Sequence, residues 1–289
     1  MKSITGIIFV LFIVIWLISC KQEEQTSDMN IIYLHHSTGG VIWKGTKPSL
    51  IMKAISKVSN RLANIVSPKP YLPQLFAEYN KDHSKNYLIK EMTFPKANPY
   101  GWNNYPYDYY NIWVKNAGDD PFLEEPTLEI LTKEYQVIIF KHCFPVSNVQ
   151  EDMDTADVNS SLKTISNYKL QYSALKDELH KYPDTKFILF TGAAQVKANI
   201  TENEAKKAKE FFAWVTEEWD LPGDNIFLWD LYALETEGSL YLRDEYAVSP
   251  TDSHPNSDFA RKSAKLLFSR IIDIIENEGN STRLTGEKK

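Results

Sequence analysis

The sequence has few cysteines and no cluster of basic residues. It contains only two cysteines, Cys20 and Cys143, in 289 residues. This excludes a framework of several disulfides and a zinc site built from cysteines, because each needs more thiols than the chain provides. The net charge is −6 and no concentrated basic patch occurs, so the sequence argues against a nucleic-acid partner, whose phosphates require one.

Long hydrophobic runs are also scarce, and the most prominent is at the N-terminus. The apolar stretch 7–18 follows Lys2 and ends in Leu17-Ile18-Ser19-Cys20, which is the layout of a signal peptide. It is short for a membrane span, which needs about 20 residues. Its end resembles the lipobox of bacterial lipoproteins, which implies cleavage before Cys20 and lipidation of that residue. The alternative is an uncleaved anchor helix, which also leaves the domain outside the cytoplasm.

The composition predicts one globular domain behind this segment. We assign 1–19 to the signal peptide, 20–29 to a flexible tether, 30–278 to the domain and 279–289 to a polar tail. The tether is polar and acidic, so it buries too little surface to offset its ordering entropy. A hydrophobic content of 43% with 13% aromatic residues supports a sizeable core. The expected location is the bacterial cell envelope, with the lipid on Cys20 in the outer membrane and the domain facing the periplasm or the surface.

Strand-like and helix-like segments alternate along the domain. Short apolar runs rich in β-branched and aromatic residues predict strands that are buried on both faces. Helical spacing is clearest in 162–179, in 201–219 and after Pro255-Asn256. This alternation predicts an α/β fold, a three-layer α/β/α sandwich with a mainly parallel central sheet of about five strands. The predicted strands are 31–35, 87–92, 137–140, 186–190 and 225–229.

A loop-rich segment at 97–126 interrupts the alternation and is unusually aromatic. We interpret it as an insertion near one end of the sheet. Its rings have two interpretations: they stack on sugar rings or grip an acyl or aryl group, or they form a satellite hydrophobic cluster under a long loop. The rings are Tyr100, Trp102, Tyr105, Tyr107, Tyr109, Tyr110 and Trp113.

Residues directly after the predicted strands are the candidates for chemistry, because ligands bind beyond the carboxyl ends of the strands in such sheets. Ser37 follows the first strand and precedes Gly39-Gly40. A serine at such a turn exposes its hydroxyl beside unpaired backbone N–H groups, as nucleophilic catalysis requires. His254, just before the last predicted helix, is a candidate base for it.

These two positions resemble the SGNH, or GDSL-like, hydrolase superfamily. The likeness rests on the strand leading into Ser37 and on Asp252-Ser253-His254-Pro255-Asn256 before the final helix. It implies a flavodoxin-like α/β/α fold, a serine nucleophile early in the chain and a histidine base late in it. Two positions depart from the family pattern: His36 stands where an Asp usually precedes the serine, and Thr251 stands where the acid usually lies. Asp252 is therefore the candidate acid, with a backbone carbonyl or Asp230 as alternatives.

The oxyanion donors are less well defined by the sequence. The backbone N–H of Gly39 is one candidate. The resemblance implies a further Gly and an Asn after the second and third strands, and Gly101 and Asn148 are the nearest residues of those types. Lys141 and His142 lie closer to the end of the third strand and offer positive charge instead, unless they are a solvated lysine and a packed histidine.

Two other constellations compete with the serine interpretation. His35, His36, Asp252 and His254 have ligand types that suit a transition metal. Adjacent histidines on a strand point to opposite faces, however, so this site needs a sharp turn between them. Cys143 beside His142 suggests a thiol nucleophile, although a lone cysteine is commonly a small buried hydrophobe. We expect neither metal nor cofactor.

Two functions remain in competition on the sequence alone. The first is a serine esterase of the SGNH type that hydrolyses an ester outside the cytoplasm, possible substrates being carbohydrate O-acetyl groups, free acyl esters and lipids. The second is a non-catalytic surface lipoprotein that uses a degenerate hydrolase fold to bind a glycan or a protein partner. The departures at His36 and Thr251 favour the second function, and the pairing of Ser37 with His254 favours the first.

Overall fold

The apolar runs of the sequence form one parallel sheet of five strands in the order β2-β1-β3-β4-β5. The structure is a computed structural model that describes residues 28–46, 69–96, 98–101, 103–152 and 155–289. The expected signal peptide, Cys20, the tether up to residue 27 and Trp102 lie outside the described residues. The strands are β1 (Met29–His35), β2 (Tyr87–Thr93), β3 (Val137–Phe140), β4 (Lys186–Phe190) and β5 (Ile226–Trp229).

The position of each strand in the sheet explains its residue pattern. All four residues of the central strand β3 are buried, because helices cover both faces and leave no side for polar alternation. β2 lies at an edge and alternates buried Tyr87 and Ile89 with exposed Leu88 and Lys90. The five predicted strands are confirmed, with bounds that shift by at most two residues.

Helices cover both faces of the sheet, which confirms the predicted three layers. Three of them, α1, α2 and α8, pack on one face around Ile42, Phe76 and Leu267. On the other face α5, α6 and the aromatic segment bury Tyr172 and Phe211. The helices are α1 (Ser37–Lys44), α2 (Tyr71–His83), α3 (Pro106–Tyr109), α4 (Leu128–Glu134), α5 (Ile165–Leu179), α6 (Glu202–Trp214), α7 (Leu231–Thr236) and α8 (Ser257–Asn277).

Side-chain caps begin two of the predicted helices. Thr201 accepts a hydrogen bond from the Glu204 N–H, and the Glu204 carboxylate accepts one from the Thr201 N–H at 3.0 Å, so the predicted capping box is present. Asn256 caps α8 through the Phe259 N–H at 3.0 Å. The helix predicted to reach Trp219 ends as an α-helix at Trp214 and continues as a π-helix.

The described residues of the aromatic segment fold into the core. It contains α3 and a π-helix, Tyr110–Lys115. Tyr109 and Trp113 are fully buried, and their rings contact Phe140 of β3 with centroids 5.4 and 5.2 Å away. Of the two interpretations of these rings, the hydrophobic cluster is therefore the one that the described residues form.

Residues 279–289, which the composition sets apart as a polar tail, pack against the domain. The Trp229 indole N–H donates to the Thr285 carbonyl at 3.0 Å, and the buried Arg270 guanidinium donates to the Gly279 carbonyl at 2.8 Å. Gly286 passes so close to the Leu266 carbonyl that any side chain there would collide with it. Buried polar groups of β5 and α8 thus find partners in a segment whose polarity suggested solvent.

No helix of the described residues is long and apolar enough to cross a membrane.

Candidate active site

Ser37 lies at the carboxyl end of β1 and begins α1. Its φ of +42° is in the left-handed region, which non-glycine residues seldom occupy and which costs of order 1–3 kcal/mol. Residues 31–35 of the strand before it are buried, whereas Ser37 itself is exposed. The sharp turn from strand to helix therefore presents the hydroxyl at the carboxyl end of the sheet.

His254 reaches Ser37 from the other end of the chain. It lies on β7 (Asp252–Pro255), which pairs antiparallel with β6 (Ala247–Ser249) in a small separate sheet. Its ring nitrogen Nε2 is 2.5 Å from Ser37 Oγ, although 217 residues separate the two in sequence. The Ser37 hydroxyl can therefore donate its proton directly to the imidazole.

Asp252 holds the opposite side of the same ring. Its Oδ1 accepts from His254 Nδ1 at 2.6 Å and from the His254 backbone N–H at 3.1 Å. Residues two apart on a strand point to the same face, so β7 itself brings this carboxylate beside the imidazole. A proton held on Nδ1 leaves Nε2 free to accept from Ser37.

Asp230, the alternative acid, is occupied elsewhere. Its Oδ1 accepts from Thr191 Oγ1 at 2.6 Å and from the Ala233 N–H at 3.1 Å, where it caps α7. Asp252 is thus the carboxylate that contacts His254, two residues before it and not three. The extended conformation of β7 explains this spacing, because two residues complete one pleat of a strand.

Two residues that the sequence analysis did not single out hold the His254 strand in place. Ser253 points to the opposite face of β7, where its buried Oγ accepts from the Val196 N–H at 3.1 Å and from Asn199 Nδ2 at 3.0 Å. The Phe144 ring packs edge-on against the imidazole, with centroids 5.3 Å apart. Alternation along the strand could have identified Ser253, because it places this residue on the face opposite Asp252 and His254.

The sequence-derived oxyanion candidates Gly39 and Asn148 have other partners. The Gly39 N–H donates to the His36 carbonyl at 2.9 Å. Asn148 Nδ2 donates to Glu204, and Asn148 Oδ1 accepts from Gln195, both at 3.3 Å. The glycine amide belongs to the first turn of α1, and the asparagine links the third strand's loop to α6. Neither donor is directed to an acyl oxygen at Ser37.

The other three candidates, Lys141, His142 and Gly101, have different surroundings. Lys141 is fully buried, with Nζ 3.6 Å from Cys143 Sγ. His142 is also fully buried and shares a hydrogen bond of 2.7 Å with the Tyr172 hydroxyl, and burial lowers the pKa of His142 to about 3. Gly101 has φ +54° and would have open space around a side chain. No described contact brings Gly101 to Ser37.

The start of α1 supplies the remaining donors. The first amides of a helix have no carbonyl one turn back, so the N–H groups of Ser37 and Thr38 are available to another acceptor. The His36 side chain, at the N-cap, makes no capping bond to them. The positive end of the helix dipole lies at the same place. These two amides are therefore the best-placed donors for negative charge on an oxygen bound next to Ser37 Oγ.

The alternative constellations do not assemble in the described part of the chain. His35 Nε2 contacts Glu91 Oε2 at 2.8 Å, and His36 Nε2 donates to the Pro95 carbonyl, so the two imidazoles face different partners. No three His, Cys, Asp or Glu residues among those described are arranged to hold a metal ion. Cys143 is a buried free thiol with 3% of its surface exposed, so it is not presented to a substrate.

A cavity of about 420 Å³ opens beside the serine. It lies between α1 and the carboxyl end of β2, and its lining includes the exposed side chains of Lys44, Glu91 and Thr93. The sequence analysis missed all three. Glu91 and Thr93 are among the last three residues of the edge strand β2, which lies next to β1. Thr93 directly follows the predicted strand 87–92, and that place was the signal that could have identified it.

Comparisons with known proteins add little to this geometry. No family model and no curated protein sequence matches the chain. One similar solved structure is of a carbohydrate esterase, described as having an active site with divergent catalytic and non-catalytic binding functions. It is 14% identical, with 86% of this chain and 70% of that chain covered and a TM-score of 0.41. A likeness this distant carries no argument about activity, so the function must be argued from the site.

Proposed function

We propose that this protein is a serine esterase with an SGNH-like catalytic triad of Ser37, His254 and Asp252. The observation that carries the proposal is the continuous chain of hydrogen bonds from Ser37 Oγ through the imidazole to Asp252 Oδ1, at 2.5 and 2.6 Å. A nucleophile, a base within hydrogen-bond reach and a group that orients the base are the three parts of this chemistry. Ser37 follows β1, and His254 and Asp252 lie on β7, which is far from β1 in sequence.

In this mechanism Ser37 Oγ attacks the carbonyl carbon of the ester while its proton passes to His254 Nε2. The carbonyl oxygen becomes an oxyanion and accepts from the N–H groups of Ser37 and Thr38. His254 then gives its proton to the departing alcohol, and the acyl group remains on Ser37. Water attacks the acyl-enzyme with His254 again as the base, which releases the carboxylic acid and restores the serine.

Asp252 contributes by keeping the imidazole oriented and by stabilising the positive charge that develops on it. The carboxylate does not need to take up the proton for this role. The side chains of His254 and Asp252 are 31% and 32% exposed, so the site is open to an incoming ester while the ring stays fixed on one side by Phe144. An open site of this kind suits a small acyl group on a larger alcohol.

The place of action is part of the proposal. The sequence Leu17-Ile18-Ser19-Cys20 after an apolar run predicts export and lipidation at Cys20, outside the described residues. The available substrates are then extracytoplasmic esters, among which carbohydrate O-acetyl groups are one class. Replacement Cys20→Ser should move the chain from the membrane fraction to the soluble fraction of the producing cells. Retention in the membrane fraction would contradict the lipid anchor.

The decisive test is hydrolysis of p-nitrophenyl acetate by the detergent-solubilised chain. We expect Ser37→Ala to abolish turnover and a chelator to leave it unchanged, because the mechanism needs the hydroxyl and no metal. Ser173→Ala is the matched control, since this exposed serine bonds the Lys169 carbonyl one turn back on α5. Unchanged activity in Ser37→Ala would refute the serine mechanism, and loss of activity with the chelator would favour a metal-dependent one.

One observation favours a second function, ligand binding without catalysis. Asn148, one of the two donors that the family pattern implies, bonds Glu204 and Gln195. A site with few oxyanion donors binds an ester better than it hydrolyses it. Saturable binding of an ester by the wild-type chain, with no turnover above that of Ser37→Ala, would establish this second function.

A further inference from the structure

The cavity beside Ser37 is built for polar contacts. Eight residues line it, and Val41 is the only one with an aliphatic side chain. Sites for apolar ligands are lined mostly by hydrophobic and aromatic groups, and an alkyl chain here would remove water from polar groups without replacing its hydrogen bonds. The lining is therefore unsuited to a fatty acyl chain. It comprises His35, His36, Ser37, Gly40, Val41, Lys44, Glu91 and Thr93.

Glu91 is held in position as a hydrogen-bond acceptor. Its Oε2 contacts His35 Nε2 at 2.8 Å, and His35 is buried while Glu91 is exposed. Burial lowers the pKa of His35, so the ring is neutral near pH 7 and donates its single N–H to the carboxylate. The other oxygen, Oε1, makes no hydrogen bond within the described part of the chain, so it can accept one from a ligand.

Lys44 supplies the complementary donor. It is the last residue of α1, exposed, and on the wall of the same cavity. Thr93, at the end of β2, adds a hydroxyl that both donates and accepts. One carboxylate and one ammonium group balance in charge, and burial lowers the pKa of His36 as it does that of His35, so neither histidine adds a charge near pH 7.

These features favour a neutral ligand with several hydroxyl groups. Hydroxyls donate to Glu91 and accept from Lys44, whereas an anion would be repelled by Glu91 and a cation by Lys44. A volume of about 420 Å³ falls within the range of small-molecule sites, about 300–1,000 Å³. Since Ser37 belongs to the lining, a molecule in the cavity lies next to the ester that the serine attacks.

We propose that this cavity binds the alcohol part of the substrate, and that this part is an uncharged polyhydroxylated group held by Glu91, Lys44 and Thr93. The inference rests on the proposed esterase function and deepens it, because it names which side of the ester is recognised and by which residues. The acyl part then lies outside this cavity, over the open side of Ser37.

The test compares three acetate esters that differ only in the alcohol: an O-acetylated methyl glucoside, an O-acetylated glucuronate and hexyl acetate. For the full chain in detergent we expect kcat/KM to be at least about ten-fold higher for the glucoside than for hexyl acetate, and higher than for the glucuronate. Glu91→Gln should lower the glucoside-to-hexyl ratio about ten-fold, the usual effect of losing a hydrogen bond to a charged group. Thr93→Val, at an exposed position, should lower the same ratio by a smaller factor.

Glu202→Gln is the control, because this carboxylate is exposed on α6, where it pairs with Lys206. It should leave the ratio at the wild-type value. Three outcomes would overturn the inference: hydrolysis of hexyl acetate as fast as that of the glucoside or faster, preference for the glucuronate, or an unchanged ratio in both Glu91→Gln and Thr93→Val. The proposed function would remain intact in each case, provided that hydrolysis of p-nitrophenyl acetate still depended on Ser37. Loss of that Ser37 dependence would overturn both.

Discussion

Replacement of Asp252 by Asn is expected to slow ester hydrolysis while leaving the fold intact. Asn is nearly the same size and still offers an oxygen, but it lacks the negative charge that accepts from His254 Nδ1 at 2.6 Å. The imidazole becomes positively charged each time it takes the Ser37 proton, so the lost charge matters most in the transition state. The change should therefore appear in kcat and leave KM nearly unaltered.

The size of the effect follows from the geometry. A hydrogen bond to a charged group contributes about 1.5–3 kcal/mol. His254 and Asp252 are 31% and 32% exposed, so water screens the pair and the lower half of that range applies. Because about 1.4 kcal/mol corresponds to a factor of ten in rate, kcat should fall about 10- to 40-fold.

The assay is the initial rate of p-nitrophenyl acetate hydrolysis, with thermal unfolding of each variant measured in parallel. Asp258→Asn is the matched control, because Asp258 is exposed in the first turn of α8 and does not contact the imidazole. A kcat within two-fold of the wild type for Asp252→Asn, at an unchanged melting temperature, would show that Asp252 does not support His254 during catalysis. An equal loss in Asp258→Asn would point to the overall charge instead.

Two further predictions concern the buried polar residues Ser253 and Glu235. Ser253→Ala should lower kcat and destabilise the fold by about 1–3 kcal/mol, because it leaves the Val196 N–H without its acceptor and Asn199 Nδ2 with the Thr251 carbonyl at 3.3 Å alone. Unfolding in urea and the esterase assay check this, and wild-type values in both would contradict it. Burial raises the pKa of Glu235 to about 8 in the folded protein, from an ordinary value of 4.5. Between pH 4.5 and 8 the folded protein therefore binds one proton more than the unfolded chain, and its stability falls as the pH rises through that window. Glu235→Gln should reduce this loss by up to about 1.4 kcal/mol per pH unit, and an identical pH dependence of urea unfolding in both proteins would refute the assignment.

The layers of the fold were predictable because their signals are local. The runs 137–140 and 186–190 are strands with the predicted bounds, since continuous apolar β-branched and aromatic residues suit a strand covered on both faces. The capping residues Thr201 and Asn256 mark helix starts through contacts only three residues long. Parallel pairing then follows from the alternation of strand and helix.

The polar details of the site were much harder to predict. Asn148 and Lys141 are near the end of β3 in sequence, yet the first bonds Glu204 and the second is buried next to Cys143. Which way a side chain points after a strand depends on the loop that it enters and on the elements packed above it. Glu91 and Lys44 were missed because neither belongs to a recognisable motif.

By itself the sequence determined which residue types stand at the ends of the predicted strands, and so that Ser37 lies at the carboxyl end of the sheet. Periodicity and capping are short-range properties, because they depend on residues only a few positions apart. Only the tertiary structure decided that His254, 217 positions from Ser37 in sequence, reaches the serine hydroxyl, and that one cavity is lined by residues of α1 and of the end of β2. These contacts join residues far apart in the chain, where no local rule constrains distance or direction.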